Sequence, residues 1–186
     1  KLGIVIPALN ESATIGRVVG EALENTADCI TRVVVADNGS QDDTAAAARR
    51  AGAEVVFSSP QGYGRACLAA VERLADWPDV LLFLDADGST RAAEIPALLI
   101  PLNEEVADLV LGSRPDQSAM TPPQRWGTQL ATTLIHFRWG HRFQDIGPFR
   151  AIPSKAFKEL GMRDQTWGWT VEMQILALLK GLRIKE

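Results

Sequence analysis

Short apolar runs alternate with helical stretches through the first half of the chain. The apolar runs are rich in Val, Ile and Leu and do not alternate with polar residues, which is the pattern of strands buried on both faces of a parallel sheet. They predict strands at Leu2–Pro7, Arg32–Ala36, Glu54–Ser58, Val80–Leu84 and Asp108–Gly112. The stretches between them predict helices at Ser12–Thr26, Asp42–Ala51, Gly64–Ala75 and Arg91–Leu102. A strand–helix–strand repeat of this kind predicts a three-layer α/β/α fold with a mainly parallel central sheet.

The rest of the chain is richer in Trp, Phe and Arg, and its pattern is less regular. Helices are predicted at about Pro122–Trp139 and Thr170–Lys180, and they flank an irregular stretch, HRFQDIGPFRAIPS. We therefore predict a single domain over residues 1–186 with two halves, 1–114 and 115–186. The final GLRIKE has the pattern of a strand at its start, so we expect the chain to be truncated at its C-terminus.

Composition narrows the class of protein. Hydrophobic residues make up 46% and charged residues 23% of the 186 positions, as in a soluble globular domain. The formal net charge of −4 argues against nucleic acid as the main partner, because a polyanion is bound by a basic face. No apolar run approaches the ~20 residues that span a bilayer, so we expect no transmembrane segment. Two isolated cysteines, Cys29 and Cys67, have the pattern of small core residues in a reducing compartment, which predicts a cytoplasmic protein.

Polar residues gather at the ends of the predicted strands. The first strand is followed by PALNES, the second by DNGSQDDT and the fourth by DADGST. Because ligands bind outside the carboxyl ends of the strands of an open parallel sheet, these segments are expected to share one edge and one ligand. They carry the acidic and amide side chains Asn10, Glu11, Asp37, Asp85 and Asp87. After the third strand, GYG offers glycines that can let a ligand approach the backbone, although a plain turn explains them equally well.

The pair Asp85 and Asp87 needs an explanation, because two carboxylates close together in a partly dry cleft repel each other and raise each other's pKa. A divalent cation removes that penalty, and hard oxygen ligands favour Mg²⁺ or Mn²⁺. The alternative is an acidic turn in which Asp87 forms an Asx-turn to Ser89. The position of the pair at the end of a buried strand, facing Glu11 and Asp37, favours the metal.

Several motifs together resemble a known family. In chain order, VIPALNE, VVVADNGSQDDT, LLFLDADG and LVLGSR resemble the family-2 glycosyltransferases with the GT-A fold. QDIGPFRAI and WGWTVEMQ resemble the branch of dolichyl-phosphate mannose synthase and the bacterial polyprenyl-phosphate glycosyltransferases. The resemblance covers nearly the whole chain. It implies that residues 1–114 bind a nucleotide-diphosphate sugar and that residues 115–186 bind the acceptor.

The resemblance also implies roles for single residues. The donor nucleotide sugar is bordered by Pro7, Ala8, Asn10, Glu11, Asp37, Gly64, Asp85 and Asp87. Of these, Asp85 and Asp87 hold Mg²⁺ or Mn²⁺, with Asp87 as the main ligand. Arg114 faces the diphosphate or the acceptor's phosphate, and the expected acceptor-binding residues are Arg125, Asp145, Arg150 and Trp169. The sequence departs from the family at Asn38, where a second Asp is frequent, and at Ser89, where the mannose synthases have a metal-binding Gln.

A third departure concerns the catalytic base. Many family members place a base Asp in a Glu-Asp pair ahead of the last helix, and here those positions hold Trp169 and Thr170. A hydroxyl acceptor needs a base, whereas a phosphate is already an anion. The departure therefore favours an acceptor phosphate. Glu172 remains a candidate base, and the alternative is an acid at a helix start that stabilises the helix dipole.

The predicted function is inverting, metal-dependent transfer of a sugar from a UDP- or GDP-sugar to a polyprenyl or dolichyl phosphate. Such an acceptor lies at a membrane surface, so we expect a protein that is peripheral to the inner face of the membrane. One alternative is a soluble acceptor, as for the glucosyl- and mannosyl-phosphoglycerate synthases. Another is a nucleotide-binding module without catalytic activity.

Overall fold

A computed structural model describes residues 1–113 and 122–186, with side chains from Trp126 onward in the second range. The strands are β1 (Leu2–Ala8), β2 (Thr31–Asp37), β3 (Glu54–Phe57), β4 (Val80–Phe83), β5 (Leu109–Leu111), β6 (Arg150–Pro153) and β7 (Ile184–Lys185). The α-helices are α1 (Ile15–Glu24), α2 (Thr44–Arg50), α3 (Tyr63–Leu74), α4 (Ile95–Asn103), α5 (Pro122–Trp139), α6 (Ser154–Leu160) and α7 (Trp169–Leu179). A short 3-10 turn, Ala92–Glu94, precedes α4.

The strands form one sheet in the order β3-β2-β1-β4-β6-β5-β7. Strands β1 to β4 pair in parallel, as predicted, and β6 runs antiparallel to both of its neighbours. Strand β3 lies at the edge and is only half-buried, so the prediction that all five strands are buried on both faces is wrong for β3. The parallel pairing brings the carboxyl ends of β1, β2 and β4 to one edge, where the predicted polar segments begin.

Two apolar layers enclose the sheet, because alternate side chains of a strand point to opposite faces. Ile4 and Ile6 of β1 pack on the side of α1, α2 and α4. Val5 packs on the other side, with α3, α6 and α7. The arrangement is the predicted three-layer α/β/α fold. The two apolar layers hold the helices against the two faces of the sheet.

Strand β6 and helix α6 lie in and just after the stretch that was predicted to be irregular, so that prediction is wrong. The strand begins with the buried Arg150 and ends at Pro153. A run that contains a charged residue and a proline lacks the apolar pattern of the other strands. Its burial comes from pairing between β4 and β5.

Candidate active site

Asp37 ends β2 and lies beside the end of β1. Ala8 pairs with Asp37 and Pro7 with Ala36 in the register of the two strands. The Asp37 side chain is only 3% exposed. Its Oδ1 accepts hydrogen bonds from the backbone N–H groups of Gly39 at 3.2 Å and Ser40 at 2.8 Å. The carboxylate therefore shapes the turn after β2 and lies at the predicted nucleotide edge.

The loops after β1 and β2 are joined by hydrogen bonds. The Asn10 N–H donates to Ser40 Oγ at 3.0 Å, and Asn10 Oδ1 accepts the Gln41 N–H at 2.8 Å. Asn10 has a φ of 57°, in the left-handed region that Asn tolerates better than most residues. The Glu11 N–H donates to Thr44 Oγ1 at 2.8 Å. The side chains of Asn10 and Glu11 thus stand on a loop that α2 holds in place.

Asp42 also joins these two loops by hydrogen bonds. Its carboxylate accepts the Ser12 N–H at 3.1 Å and the Thr44 N–H at 3.0 Å, and it also accepts the Thr44 hydroxyl. The hydrogen bonds from Thr44 and Ser12 favour the ionised form and lower the pKa of Asp42 to about 2, against the smaller opposing effect of desolvation.

Asn38 occupies the position where the resemblance leads one to expect a second Asp. Its Nδ2 donates to the Ser58 carbonyl at 3.1 Å, and its Oδ1 accepts the Gly62 N–H at 2.7 Å. The Asn38 amide thus holds the loop between β3 and α3 through one donated and one accepted hydrogen bond. An ionised Asp could not do so, because its carboxylate has no hydrogen to donate.

Asp85 and Asp87 follow β4 at the same edge of the sheet. Phe83 pairs with Val5 of β1, and Asp85 leaves the sheet two residues later. Asp85 is half-buried, and the Tyr63 hydroxyl donates to its Oδ1 at 3.3 Å. Asp87 is exposed, and its Oδ1 accepts the Ser89 N–H at 2.8 Å. The Asx-turn that was named as the alternative to a metal site is therefore present. It does not rule out a metal, because a carboxylate has further lone pairs.

A pocket of about 170 Å³ opens next to Asp85. Its lining joins the end of β4 to the start of α3, the loop before β6 and the start of α7, through Tyr63, Asp85, Ile146, Gly147, Pro148, Trp167 and Thr170. Tyr63 was not predicted to be a site residue. The only sequence signal for it was its place inside GYG, where the glycines drew attention instead.

Arg150 lies beneath this pocket and is 0% exposed. Its guanidinium donates to the Pro148 carbonyl at 3.2 Å, to the Thr170 carbonyl at 3.0 Å and to the Gly147 carbonyl. Burial lowers the pKa of Arg150 to about 10, against the opposing influence of Tyr63, Cys67, Asp85 and Asp145. The side chain is therefore protonated at neutral pH, and it holds the pocket wall through these three carbonyl groups. Arg150 was predicted to bind the acceptor, and its complete burial does not fit that prediction.

The two tryptophans around Gly168 have different environments. Trp169 is 1% exposed and packs against Phe83 and Phe157 in the core, so the prediction that it contacts an acceptor does not fit its burial. Trp167 is 82% exposed, and its ring stacks on Tyr63 with 5.8 Å between centroids. Trp167, and not Trp169, therefore lines the pocket with an aromatic face.

Gly64 is buried at the start of α3 and is approached by the chain's own backbone. Its N–H donates to the Thr166 carbonyl at 3.0 Å, and the Arg65 N–H donates to the Gln165 carbonyl at 3.0 Å. A Cβ at Gly64 would collide with the Asp164 carbonyl oxygen. This contact accounts for the glycine without a ligand, so Gly64 does not need to face the donor nucleotide.

Glu172 lies in the first turn of α7 and holds the same loop. Its carboxylate accepts the Arg163 N–H at 3.0 and 3.1 Å and the Asp164 N–H at 2.8 Å. The loop that carries Trp167 is therefore fixed at two points, by α7 through Glu172 and by α3 through its first N–H groups.

The remaining predicted residues lie in the second half of the chain. Asp145 is buried, its Oδ1 accepts the Ile146 N–H at 2.8 Å and its carbonyl accepts a bond from Gln174 at 3.0 Å. Arg114 lies outside the described residues, and the side chain of Arg125 lies outside them as well. Within residues 1–113 and 122–186, no three His, Cys, Asp or Glu side chains come together in a metal-binding group.

Comparisons with known proteins identify the family. A family model described as glycosyl transferase family 2 matches residues 3–162. An uncharacterised glycosyltransferase of Mycobacterium tuberculosis is 34% identical over 98% of this chain and 81% of its own length. A dolichyl-phosphate hexose transferase of Haloferax volcanii is 31% identical over 100% of this chain and 80% of its own length.

Solved structures agree on the fold. The crystal structure of glucosyl-3-phosphoglycerate synthase from M. tuberculosis with phosphoglyceric acid has a TM-score of 0.78 and 25% identity, over 100% of this chain and 68% of that one. The same synthase with Mn²⁺, uridine diphosphate and phosphoglyceric acid has a TM-score of 0.79 at 23% identity, over 100% of this chain and 67% of that one. The three-layer architecture is the expected GT-A fold.

Proposed function

Because the chain belongs to family 2 of the glycosyl transferases, we propose that it moves a sugar from a UDP- or GDP-sugar to a polyprenyl phosphate. The family makes the protein a glycosyltransferase that uses a nucleotide sugar. The observation that carries the proposal is the meeting of the Asp37 turn, the Asp85–Asp87 turn and one pocket at a single edge of the sheet. Each of these parts suits a different portion of the two substrates.

The donor nucleotide is proposed to lie across the end of β1. Pro7 and Ala8 form the floor, and Asp37 accepts a hydrogen bond from the base or the ribose. Asn10 and Glu11 stand beside them on a loop that α2 fixes. Such fixed positions lower the entropy that binding must overcome, because few side chains have to be ordered when the nucleotide arrives.

The diphosphate is proposed to lie over the Asp85–Asp87 turn with Mg²⁺ or Mn²⁺. Two carboxylates supply hard oxygen ligands that suit either ion. In such sites the substrate phosphates complete the coordination shell of the metal. The exposed Asp87 is the better placed of the two to reach it. A cation held there by Asp85 and Asp87 would stabilise the negative charge that develops on the leaving diphosphate. The complex of the M. tuberculosis synthase contains Mn²⁺ with uridine diphosphate, which supports this choice.

The transferred sugar is proposed to occupy the pocket between Asp85 and Trp167. Trp167 and Tyr63 offer aromatic faces, and the buried Arg150 keeps Gly147, Pro148 and Thr170 in place. The acceptor then attacks the anomeric carbon from the face opposite the diphosphate, which inverts the configuration. Holding both reactants in this geometry lowers the barrier by avoiding entropy loss at the moment of reaction.

A phosphate is the acceptor that these residues favour. Glu172 uses its carboxylate to bind the N–H groups of Arg163 and Asp164, so it is already engaged in holding a loop. A phosphate oxygen attacks as an anion and leaves no proton to be removed. The dolichyl-phosphate hexose transferase among the relatives supports a lipid phosphate in particular.

A soluble acid is the second candidate acceptor. Its support is the likeness to glucosyl-3-phosphoglycerate synthase, at a TM-score of 0.78 and 25% identity. The two acceptors differ in solubility, so one extraction separates their products.

The test is a transfer assay with radiolabelled UDP- and GDP-sugars, Mn²⁺ and each acceptor in turn. With undecaprenyl phosphate in detergent micelles, we expect label in the organic phase. Label transferred only to 3-phosphoglycerate, and recovered in the aqueous phase, would identify the soluble acceptor. Donor binding without transfer to either acceptor would favour a non-catalytic module.

A further inference from the structure

Helix α5 exposes a stripe of large apolar side chains. The stripe consists of Trp126, Leu130, Leu134 and Phe137. At 3.6 residues per turn, these four residues fall within an arc of about 80° on the helix surface. Their exposed fractions are 71% for Trp126, 46% for Leu130, 58% for Leu134 and 91% for Phe137. We call these four residues the α5 stripe. Single exposed apolar residues are ordinary on a protein surface, but an aligned set on one helix face marks an interaction site.

The stripe points away from the rest of the protein. Thr128 and Ile135 are 7% and 2% exposed, and on the helix surface they lie about 140–160° from the middle of the stripe. Ile135 belongs to the apolar layer formed with α3, α6 and α7. Helix α5 is therefore anchored by its opposite face, and its own packing does not cover the stripe.

The charge around the stripe is positive although the whole chain is acidic. Between Asp116 and Asp145 the sequence contains no Asp or Glu, and it contains Arg125, Arg138 and Arg142. Arg138 is exposed and flanks the stripe, at about 40° from Leu134 around the helix. An apolar face with Trp and Phe, bordered by Arg and free of acids, is the composition of helices that lie in a membrane interface.

We propose that the α5 stripe docks the protein on the surface of a membrane that contains anionic lipids. Trp126, Leu130, Leu134 and Phe137 would enter the boundary between headgroups and acyl chains, and Arg138 and Arg142 would face the lipid phosphates. A second copy of the chain fits less well, because a two-fold contact through α5 brings identical basic segments together without an acid among them. The choice of a lipid surface rests in part on the proposed lipid-phosphate acceptor.

Docking through this face would bring the pocket to the acceptor. The chain runs from the end of α5 at Trp139 into Ile146, Gly147 and Pro148, which line the pocket next to Asp85. A lipid phosphate at the bilayer surface would therefore meet the acceptor side of the site over a short distance. No helix in the described part of the chain is long and apolar enough to span a bilayer.

The test is sedimentation of the 186-residue protein with vesicles, without any donor or acceptor. Phosphatidylcholine vesicles are compared with vesicles that also contain phosphatidylglycerol. We expect binding to the anionic vesicles that weakens as salt is raised, since salt screens charges at the surface. The double substitution Leu134→Ser with Phe137→Ser is expected to lower the partition coefficient by about tenfold or more, because two apolar side chains no longer enter the interface.

A matched control substitutes the same kinds of residue elsewhere. Ile30 and Phe57 are 70% and 71% exposed and lie outside α5, so Ile30→Ser with Phe57→Ser should leave vesicle binding unchanged. Equal binding by the α5 variant and the wild type, or no binding of the wild type to anionic vesicles, would overturn the proposal. So would a dimer in solution that the α5 variant abolishes. Calorimetry of donor binding separates this outcome from failure of the proposed function, since a failed docking surface leaves donor affinity intact.

Discussion

At the scale of single residues, acidic side chains in the site accept hydrogen bonds from backbone N–H groups. Asp37 binds those of Gly39 and Ser40, Asp87 binds that of Ser89, and Glu172 binds those of Arg163 and Asp164. Each carboxylate therefore stabilises a turn as well as presenting oxygen to a ligand. Substitutions have to be chosen so that these two roles can be separated.

Asp37 is expected to contact the base or the ribose and not the metal. Asp37→Ala should weaken nucleotide binding by ~1.5–3 kcal/mol, the value of a lost hydrogen bond to a charged group, with and without Mn²⁺. Calorimetry with UDP and GDP measures this. Asp37→Asn keeps an acceptor for the turn, so comparing the two variants separates loss of the turn from loss of the charge. An effect that requires Mn²⁺ would place Asp37 in the metal shell.

Glu172 is expected to position its loop and not to act as a base. In Glu172→Gln an amide NH₂ replaces an oxygen that faces N–H groups, so the free energy of unfolding should fall by about 1–2 kcal/mol. Transfer to a saturating polyprenyl phosphate should fall by less than tenfold, and the rate should still rise near pH 6, the second pKa of a phosphate monoester, and then level off.

A matched control for that variant is Glu159→Gln on the exposed side of α6, which should change neither quantity. General-base catalysis contributes ~10²–10⁴-fold, so a loss of that size in Glu172→Gln together with loss of the alkaline plateau would identify Glu172 as the base. The acceptor would then be a hydroxyl.

At the scale of elements, the close contact between α3 and the loop before α7 keeps Trp167 over Tyr63. Gly64→Ala places a Cβ against the Asp164 carbonyl and should lower the free energy of unfolding by ~1–3 kcal/mol, as overpacking does. Gly20→Ala is the control, since no atom lies within 4 Å of a Cβ there, and it should stabilise α1 by ~0.5–1 kcal/mol. Chemical denaturation checks both, and equal effects of the two would contradict the contact.

Asp42 joins the loops after β1 and β2, and its ionisation should contribute to stability. Its pKa is about 2 in the folded protein against an ordinary 3.8, so the contribution is complete above about pH 4 and is lost as the pH falls toward 2. Asp42→Asn should therefore unfold at a lower temperature than the wild type at neutral pH. The difference should vanish near pH 2, and a difference independent of pH would contradict the assignment.

The elements differed in how well the sequence predicted them. Strands β1, β2 and β4 were predicted because each contains a continuous apolar run that is buried on both faces. Strand β6 was missed because it includes the buried Arg150, whose partners include the Thr170 carbonyl and Asp85, both distant in sequence. Pairing between strands thus overrode local composition.

At the scale of the whole molecule, the candidate site is assembled from both halves of the chain. The edge with Asp37 and Asp85 could be predicted, since parallel strands align their carboxyl ends. The meeting of Tyr63, Asp85 and Trp167 could not, because these residues are far apart in sequence and their contact depends on how α3 packs against the loop before α7. The exposed Cys29 was also mispredicted as a core residue, whereas Cys67 is buried.

Binding of the donor through a metal on the Asp85–Asp87 turn is the central claim, and a calorimetric titration of Asp87→Asn tests it most directly. Asn can still accept the Ser89 N–H and keep the Asx-turn, so the substitution removes the charge and spares the backbone. We expect UDP or GDP to bind the wild type more tightly with Mn²⁺ than without it, and Asp87→Asn to lose that gain with an unchanged melting temperature. Asp28→Asn, an exposed Asp just before β2, serves as the control and should retain the gain. A full Mn²⁺-dependent gain in Asp87→Asn would contradict the claim.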